Sequence, residues 1–219
     1  MVGPDSDGLM TLSVGPLELV LSPATGGSIA RFEHSDGERT VSILRGCLGT
    51  PGHVLETGSF PLVPYVNRIR GGQFSFRGQT IRLAPNMAGD PSPLHGQGWL
   101  NPWRVVSAAQ DEAVLEYEHV AGEWPWAYVA QQRFKLDKSS LEIALSCRNL
   151  SAKPMPCGLG QHPYFLCSGE TRIATHVDDE PVTHANAALN APEEQWADLG
   201  MRILSPNEEM ALVIRLELA

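Results

Sequence analysis

The sequence has no CxxC pair, no HxH pair, no lysine- and arginine-rich run, and no apolar stretch of membrane-spanning length. Each absence excludes something. The four cysteines (Cys47, Cys147, Cys157 and Cys167) match no common zinc spacing and read as reduced thiols of a cytoplasmic protein. Without an HxH ligand pair, the metal centre of cupin-like barrels lacks its usual sequence mark. A formal net charge of −9 with no basic run excludes nucleic acid and anionic membrane as expected partners. The opening residues, MVGPDSDGLM, carry neither the basic nor the apolar region of a signal peptide, so no leader is expected. No run approaches the roughly 20 apolar residues that cross a bilayer.

Helix signals are scarce too. Only 185–196 has a helix-friendly composition, and Pro192 interrupts it. Strand signals fill the rest: 17–22, 28–33, 40–44, 73–76, 79–83, 103–108, 112–118, 128–136, 141–148 and 209–218. Period-two alternation is plain in QQRFKL and LEIALS, and Arg77-Gly78 predicts a tight hairpin between Gln73 and Leu83. Short strands with turns roughly every ten residues predict an all-β antiparallel sandwich or barrel. At 219 residues, with no repeat or linker, the expectation is one domain over 1–219.

The chain is organised around MPCGLGQHPYF (155–165), with His162 at its centre. Glycines at 158 and 160 permit close backbone approach, and Pro163 pushes His162 toward an extended conformation. The segment therefore reads as strand-like, presenting an imidazole against aromatic residues. Three other patches sit at strand edges or in loops. In PYVNRIRGG, Asn67 and Arg68 suit recognition of neutral hydroxyls, although a lone arginine also reads as a structural ion pair. In PLHGQGW, His95 reads as part of a binding loop whose Trp99 could pack on a sugar ring, or as a local backbone cap. In EPVTH, Glu180 precedes a proline and stands four residues before His184. Together these residues allow either a general acid–base pair or a His/Glu metal site. Pro181 makes the Glu180/His184 pair a poor helical platform for a metal.

Taken in order, NRIRGGQFSFRGQTIRL, PLHGQGW, MPCGLGQHPYF and EPVTHANAALN resemble the aldose 1-epimerase (galactose mutarotase) family. The resemblance covers nearly the whole chain, from the glycine pair after LSPAT to the closing GMRILSPNEEMALVIRLEL. It implies a large antiparallel β-sandwich, a small sugar as substrate, and no metal or organic cofactor. It implies Glu180 as the base that takes the C1 hydroxyl proton and His162 as the acid toward the ring oxygen. His95, Arg68 and the neighbouring Asn67 would bind the sugar. A monomer or homodimer is expected. Two other readings stand beside the mutarotase: an epimerase of a phosphorylated hexose, which would want more cations than Arg68 and Arg70, and a non-catalytic sugar-binding domain.

One departure from the family pattern stands out. A long segment with several strands and a sugar-binding aspartate normally separates the HPYF region from the late glutamate, yet here only 17 residues lie between His162 and Glu180. The gap falls around 177–180. A stretch of polypeptide that this sequence omits is the expected explanation, with a true internal deletion as the alternative.

Overall fold

Alternating apolar residues bury one face of a strand against a core, and this period dictates most of what folds here. The computed structural model describes residues 3–166 and 187–218. The first strands, β1 (Met10–Val14), β2 (Leu17–Ser22), β3 (Ser28–Ser35) and β4 (Thr40–Leu44), form an antiparallel meander. Next come β5 (Pro61–Leu62) and the hairpin of β6 (Gln73–Phe76) with β7 (Gln79–Arg82). Arg77 and Gly78 both take positive φ (49° and 76°), as a two-residue hairpin turn matching the strand twist requires.

A second meander follows in β8 (Arg104–Ala108), β9 (Glu112–His119), β10 (Tyr128–Leu136) and β11 (Ser140–Asn149). The chain then passes through β12 (Met155–Gly158), β13 (Gly160–Gln161) and β14 (Met201–Leu204). It ends in β15 (Glu209–Glu217), which pairs with β11 and completes a five-stranded sheet. Inward residues of both meanders share one hydrophobic cluster: Leu12, Leu19 and Phe32 from the first, Leu115, Phe134 and Leu145 from the second. The architecture is the expected antiparallel β-sandwich.

Strand positions agree with the sequence expectations to within a residue or two. β1, whose MTLSV alternates between buried and exposed, and β14 lie outside the expected strands, and the two-residue β5 and β13 are too short to show alternation. In β12, MPCG, all four residues are buried, so no polar face marks the strand. The stretch expected to be helix-friendly ends instead in separate 3₁₀ turns, Ala188–Asn190 and Glu193–Gln195. Pro192 stands between them, where its missing N–H breaks any continuous helix.

The glycine pair after β2 shows why it cannot be replaced. Gly27 has φ of 59°, and a Cβ there would lie 2.6 Å from Trp103 Cγ and 2.8 Å from Gln132 Nε2. That same Gln132 amide, buried in the middle of β10, donates to the Gly27 carbonyl at 2.8 Å. The turn is thereby pressed onto the second sheet. Gly27→Ala is expected to destabilise by at least about 1–3 kcal/mol from the backbone conformation alone, with the steric clash added. Urea denaturation checks this; a change below about 0.5 kcal/mol would mean the turn relaxes freely.

Candidate functional site

Three backbone segments lie side by side at the centre of the site. Residues 58–62 run antiparallel to 160–164: His162 N–H donates to the Phe60 carbonyl (3.0 Å) and Tyr164 N–H to that of Gly58 (2.8 Å). On the far side, Arg45 N–H donates to the Tyr164 carbonyl at 2.7 Å. His162 and Tyr164 are two residues apart in extended chain, so they emerge on one side. The pairing sets Phe60 opposite His162. His162 stacks on Phe60, 4.9 Å away at 22°, and lies tilted against Tyr164, 4.8 Å away at 34°. The aromatic wall expected around His162 is therefore real, and half of it comes from a residue about a hundred positions upstream.

His95 enters from the loop before Trp99. Val63 and Gly96 form a parallel bridge there, and a Cβ on Gly96 would lie 2.1 Å from the Val63 carbonyl oxygen. Only glycine permits that approach. Asn67 and His95 then lock to each other: His95 N–H donates to the Asn67 carbonyl (3.1 Å), and Asn67 N–H donates to His95 Nδ1 (3.0 Å). Both residues hold positive φ, 69° and 60°, which non-glycine residues adopt only when their surroundings over-determine it.

The lock fixes the chemistry of His95. A backbone N–H can only donate, so Nδ1 is the acceptor and the neutral ring carries its proton on Nε2. Burial, then the neighbouring His162 and Arg68, push the imidazole down to about 3. His95 is thus a neutral hydrogen-bond donor, set edge-on to His162 with ring centroids 5.7 Å apart. His162 is also held below its ordinary value, first by burial and then by the Arg45 charge, against an opposing backbone hydrogen bond.

Arg68 follows Asn67 and meets Asp90 through Nε at 2.6 Å. Asp90 is held below the usual carboxylate range by the Ser92 N–H and then by Arg68. The ion-pair reading of Arg68 is therefore correct, and the pair also ties the arginine beside His95. Trp99 departs from expectation. It is fully buried, with its indole N–H on the Leu94 carbonyl, and it backs His95 and Phe60 instead of offering a face to a sugar. Glu180 and His184 lie outside the described residues. Among the described residues, no three His, Cys, Asp or Glu side chains come together in a metal-binding group, and no helix is long and apolar enough to cross a membrane.

Sequence reasoning missed Phe60, Asp90 and Arg45. Phe60 and Arg45 sit in stretches without a motif, and only the pairing of distant strands brings them to His162. Asp90 stands in GDPSP, where an aspartate before proline signals a turn and conceals its partner.

The sequence profile of the Aldose 1-epimerase family matches residues 10–191. An uncharacterised Escherichia coli K12 protein, YphB, is 39% identical over 165 residues, covering 75% of this chain and 54% of that protein. The aldose 1-epimerase of the same organism is 26% identical over 149 residues, 64% of this chain and 42% of its own. The chain thus spans about half the length of these relatives. Among solved structures, an E. coli K12 protein provisionally named an aldose 1-epimerase superposes with a TM-score of 0.70 at 34% identity, covering 85% of this chain and 63% of that one. A galactose mutarotase-like protein of Clostridium acetobutylicum shares the fold, with a TM-score of 0.71 at 16% identity over 96% of this chain and 95% of its own.

The buried His95 makes stability pH-dependent. Its imidazole titrates near 6.5 when unfolded and near 3 when folded, so between those values the unfolded chain binds the extra proton. Stability from this group is complete above the unfolded value and is lost as pH falls through the window, by an amount on the order of a few kcal/mol. Urea midpoints should fall from pH 7 to pH 4, and His95→Gln should flatten that slope. An equal slope in both proteins would place the acid sensitivity elsewhere.

Proposed function

The chain belongs to the aldose 1-epimerase family, and from that premise we propose that it interconverts the α and β anomers of a neutral hexose or related aldose. The observation that supports this most is the convergence of two unlike histidines beside an anchored arginine. Opening a hemiacetal takes a proton from the C1 hydroxyl and delivers one to the ring oxygen, so a base and an acid must flank that bond. After rotation about C1–C2, the aldehyde recloses on its other face. No covalent intermediate, metal or cofactor enters this reading.

His162 is the proposed acid. A burial-depressed imidazolium is a stronger acid than a free one, although it is rarer near neutrality. His95, which keeps its proton on Nε2, is the proposed fixed donor to a sugar oxygen. Arg68, held by Asp90, is the proposed partner of ring hydroxyls, and Asn67 serves by locking His95 through its backbone. Glu180 is the proposed base, and that role rests on the family resemblance.

A neutral substrate fits better than a phosphorylated one. The Arg68 charge is already balanced by Asp90, which suits neutral hydroxyls better than a phosphate, and Arg45 is turned onto backbone carbonyls and the Tyr164 ring. The short interval of 17 residues between His162 and Glu180 favours one further reading, a non-catalytic sugar-binding domain on the same scaffold.

Polarimetry of freshly dissolved α-D-glucose and α-D-galactose, with the intact mass measured on the same sample, separates these readings. The expected result is equilibration well above the spontaneous rate. A rate equal to background, with sugar binding retained, would favour the binding domain.

Glu180→Gln and His162→Asn should each lower kcat by roughly 10²–10⁴-fold with the fold kept, and a near-wild-type rate in either would remove that residue from the mechanism. In kcat/KM the alkaline limb, set by loss of the His162 proton, should lie below 6.5; a limb above that value would assign the proton to another group. Arg68→Ala should chiefly raise KM.

A further inference from the structure

Arg45 directly follows β4 and packs against the His162 cluster from behind. Its backbone N–H meets the Tyr164 carbonyl at 2.7 Å, and the preceding Leu44 bridges Phe165. Register therefore places the Arg45 side chain beside the ring of Tyr164. Its Nη2 donates to the carbonyls of Leu55 and Thr57, the latter at 3.0 Å. Its Cζ lies 3.9 Å from the Tyr164 ring centroid. Nε is buried and makes no hydrogen bond among the described residues. Arg45 as a whole is half-buried, so only the unused Nε donor carries a desolvation cost, and the aromatic face offsets part of it.

These contacts close a ring of dependences. The carbonyls of Leu55 and Thr57 stand just ahead of the segment that carries Phe60. Arg45 ties them to Tyr164, Tyr164 lies on His162, and His162 stacks on Phe60. The imidazole is held from both sides by groups that Arg45 joins.

We propose that Arg45 is a positioning residue for His162: its guanidinium clamps the turn at 55–57 and lies over Tyr164, so that the Tyr164 ring holds the imidazole in one orientation. The role deepens the reading of His162 as the acid and rests on it. The charged and titratable groups facing His162 among the described residues are Arg45 behind Tyr164, Tyr164 itself, His95 edge-on, and Arg68 beyond His95. The guanidinium charge adds to burial in disfavouring a second positive charge on the imidazole.

The test uses the full chain with Arg45→Met and Arg45→Lys. Imidazole ¹⁵N titration and the NOE between the His162 and Tyr164 rings are read beside mutarotation kinetics. In Arg45→Met, the His162 titration should move to higher pH while that of His95 stays in place, and the NOE should weaken. There, kcat should fall about 10- to 100-fold with KM within about twofold. Arg45→Lys keeps the charge but replaces the planar guanidinium, which lies over Tyr164 while its Nη2 serves both carbonyls, with a compact ammonium that has no such face. It should hold the titration near wild type, lose the NOE, and recover little of kcat.

An unmoved His162 titration in Arg45→Met, or an intact NOE in Arg45→Lys, overturns the proposal. If Arg45→Met does not fold, Arg45→Lys decides by its NOE. A lower melting temperature with titration, NOE and kcat unchanged would mean a purely structural arginine, and it too overturns the proposal. Absence of mutarotation in the wild type rejects the functional reading alone, because the titration and the NOE judge Arg45 without activity.

Discussion

The site depends on one backbone pairing, that of 58–62 with 160–164. Its hydrogen bonds from His162 to Phe60 and from Tyr164 to Gly58 decide which side chains can meet. A slip of one residue would turn His162 away from Phe60 and put Gln161 in its place. Glycine at 160 suits the close approach, since a Cβ there would sit 3.0 Å from both Leu62 Cδ1 and Val66 Cγ2. With the register fixed, the aromatic stack follows, and so does the placing of Arg45 beyond Tyr164. A two-residue strand would be marginal in isolation. It holds because both partners are anchored in larger structure, with Val63 and Leu62 buried below.

Electrostatics at the site follow from the same arrangement. Two imidazoles, 5.7 Å apart between ring centroids, stand in a half-dry setting with arginines on two sides. Charging both rings would be expensive, and the fold avoids this by burying His95 more deeply and giving its Nδ1 a donor that cannot reverse. His95 is thereby fixed as a neutral donor, and His162, the less buried ring, is the one left for the proposed proton exchange. Two chemically identical side chains thus stand in unlike environments.

Much of this was legible in the sequence. Alternation located the long strands, Arg77-Gly78 located the hairpin, and Pro163 with its glycines predicted the extended presentation of His162. What stayed hidden was non-local. No periodicity reports that Phe60 pairs with His162, or that Arg45 lies beneath Tyr164, because such contacts arise from strand pairing across about a hundred residues. Trp99 misled for a related reason: a tryptophan after a glycine-rich loop can serve as a platform or as the floor beneath one, and burial alone distinguishes them. Arg68 was ambiguous between ion pair and ligand, and in the fold the ion pair is the means by which the arginine is held beside His95.

The strain at Asn67 and His95 ties these points together. Two left-handed residues facing each other across the loop cost on the order of 1–3 kcal/mol each, and a fold under no other demand would place glycine or move the loop. Their reciprocal hydrogen bonds recover part of that cost and cannot form without the conformation. What the strain secures is a fixed direction for one N–H and a fixed neighbour, Arg68, for the group it serves. A donor that is already oriented need not reorganise when charge develops on a bound oxygen. Such preorganisation is worth its cost to a site that must stabilise a changing substrate, and it would be needless for one that only filled the core.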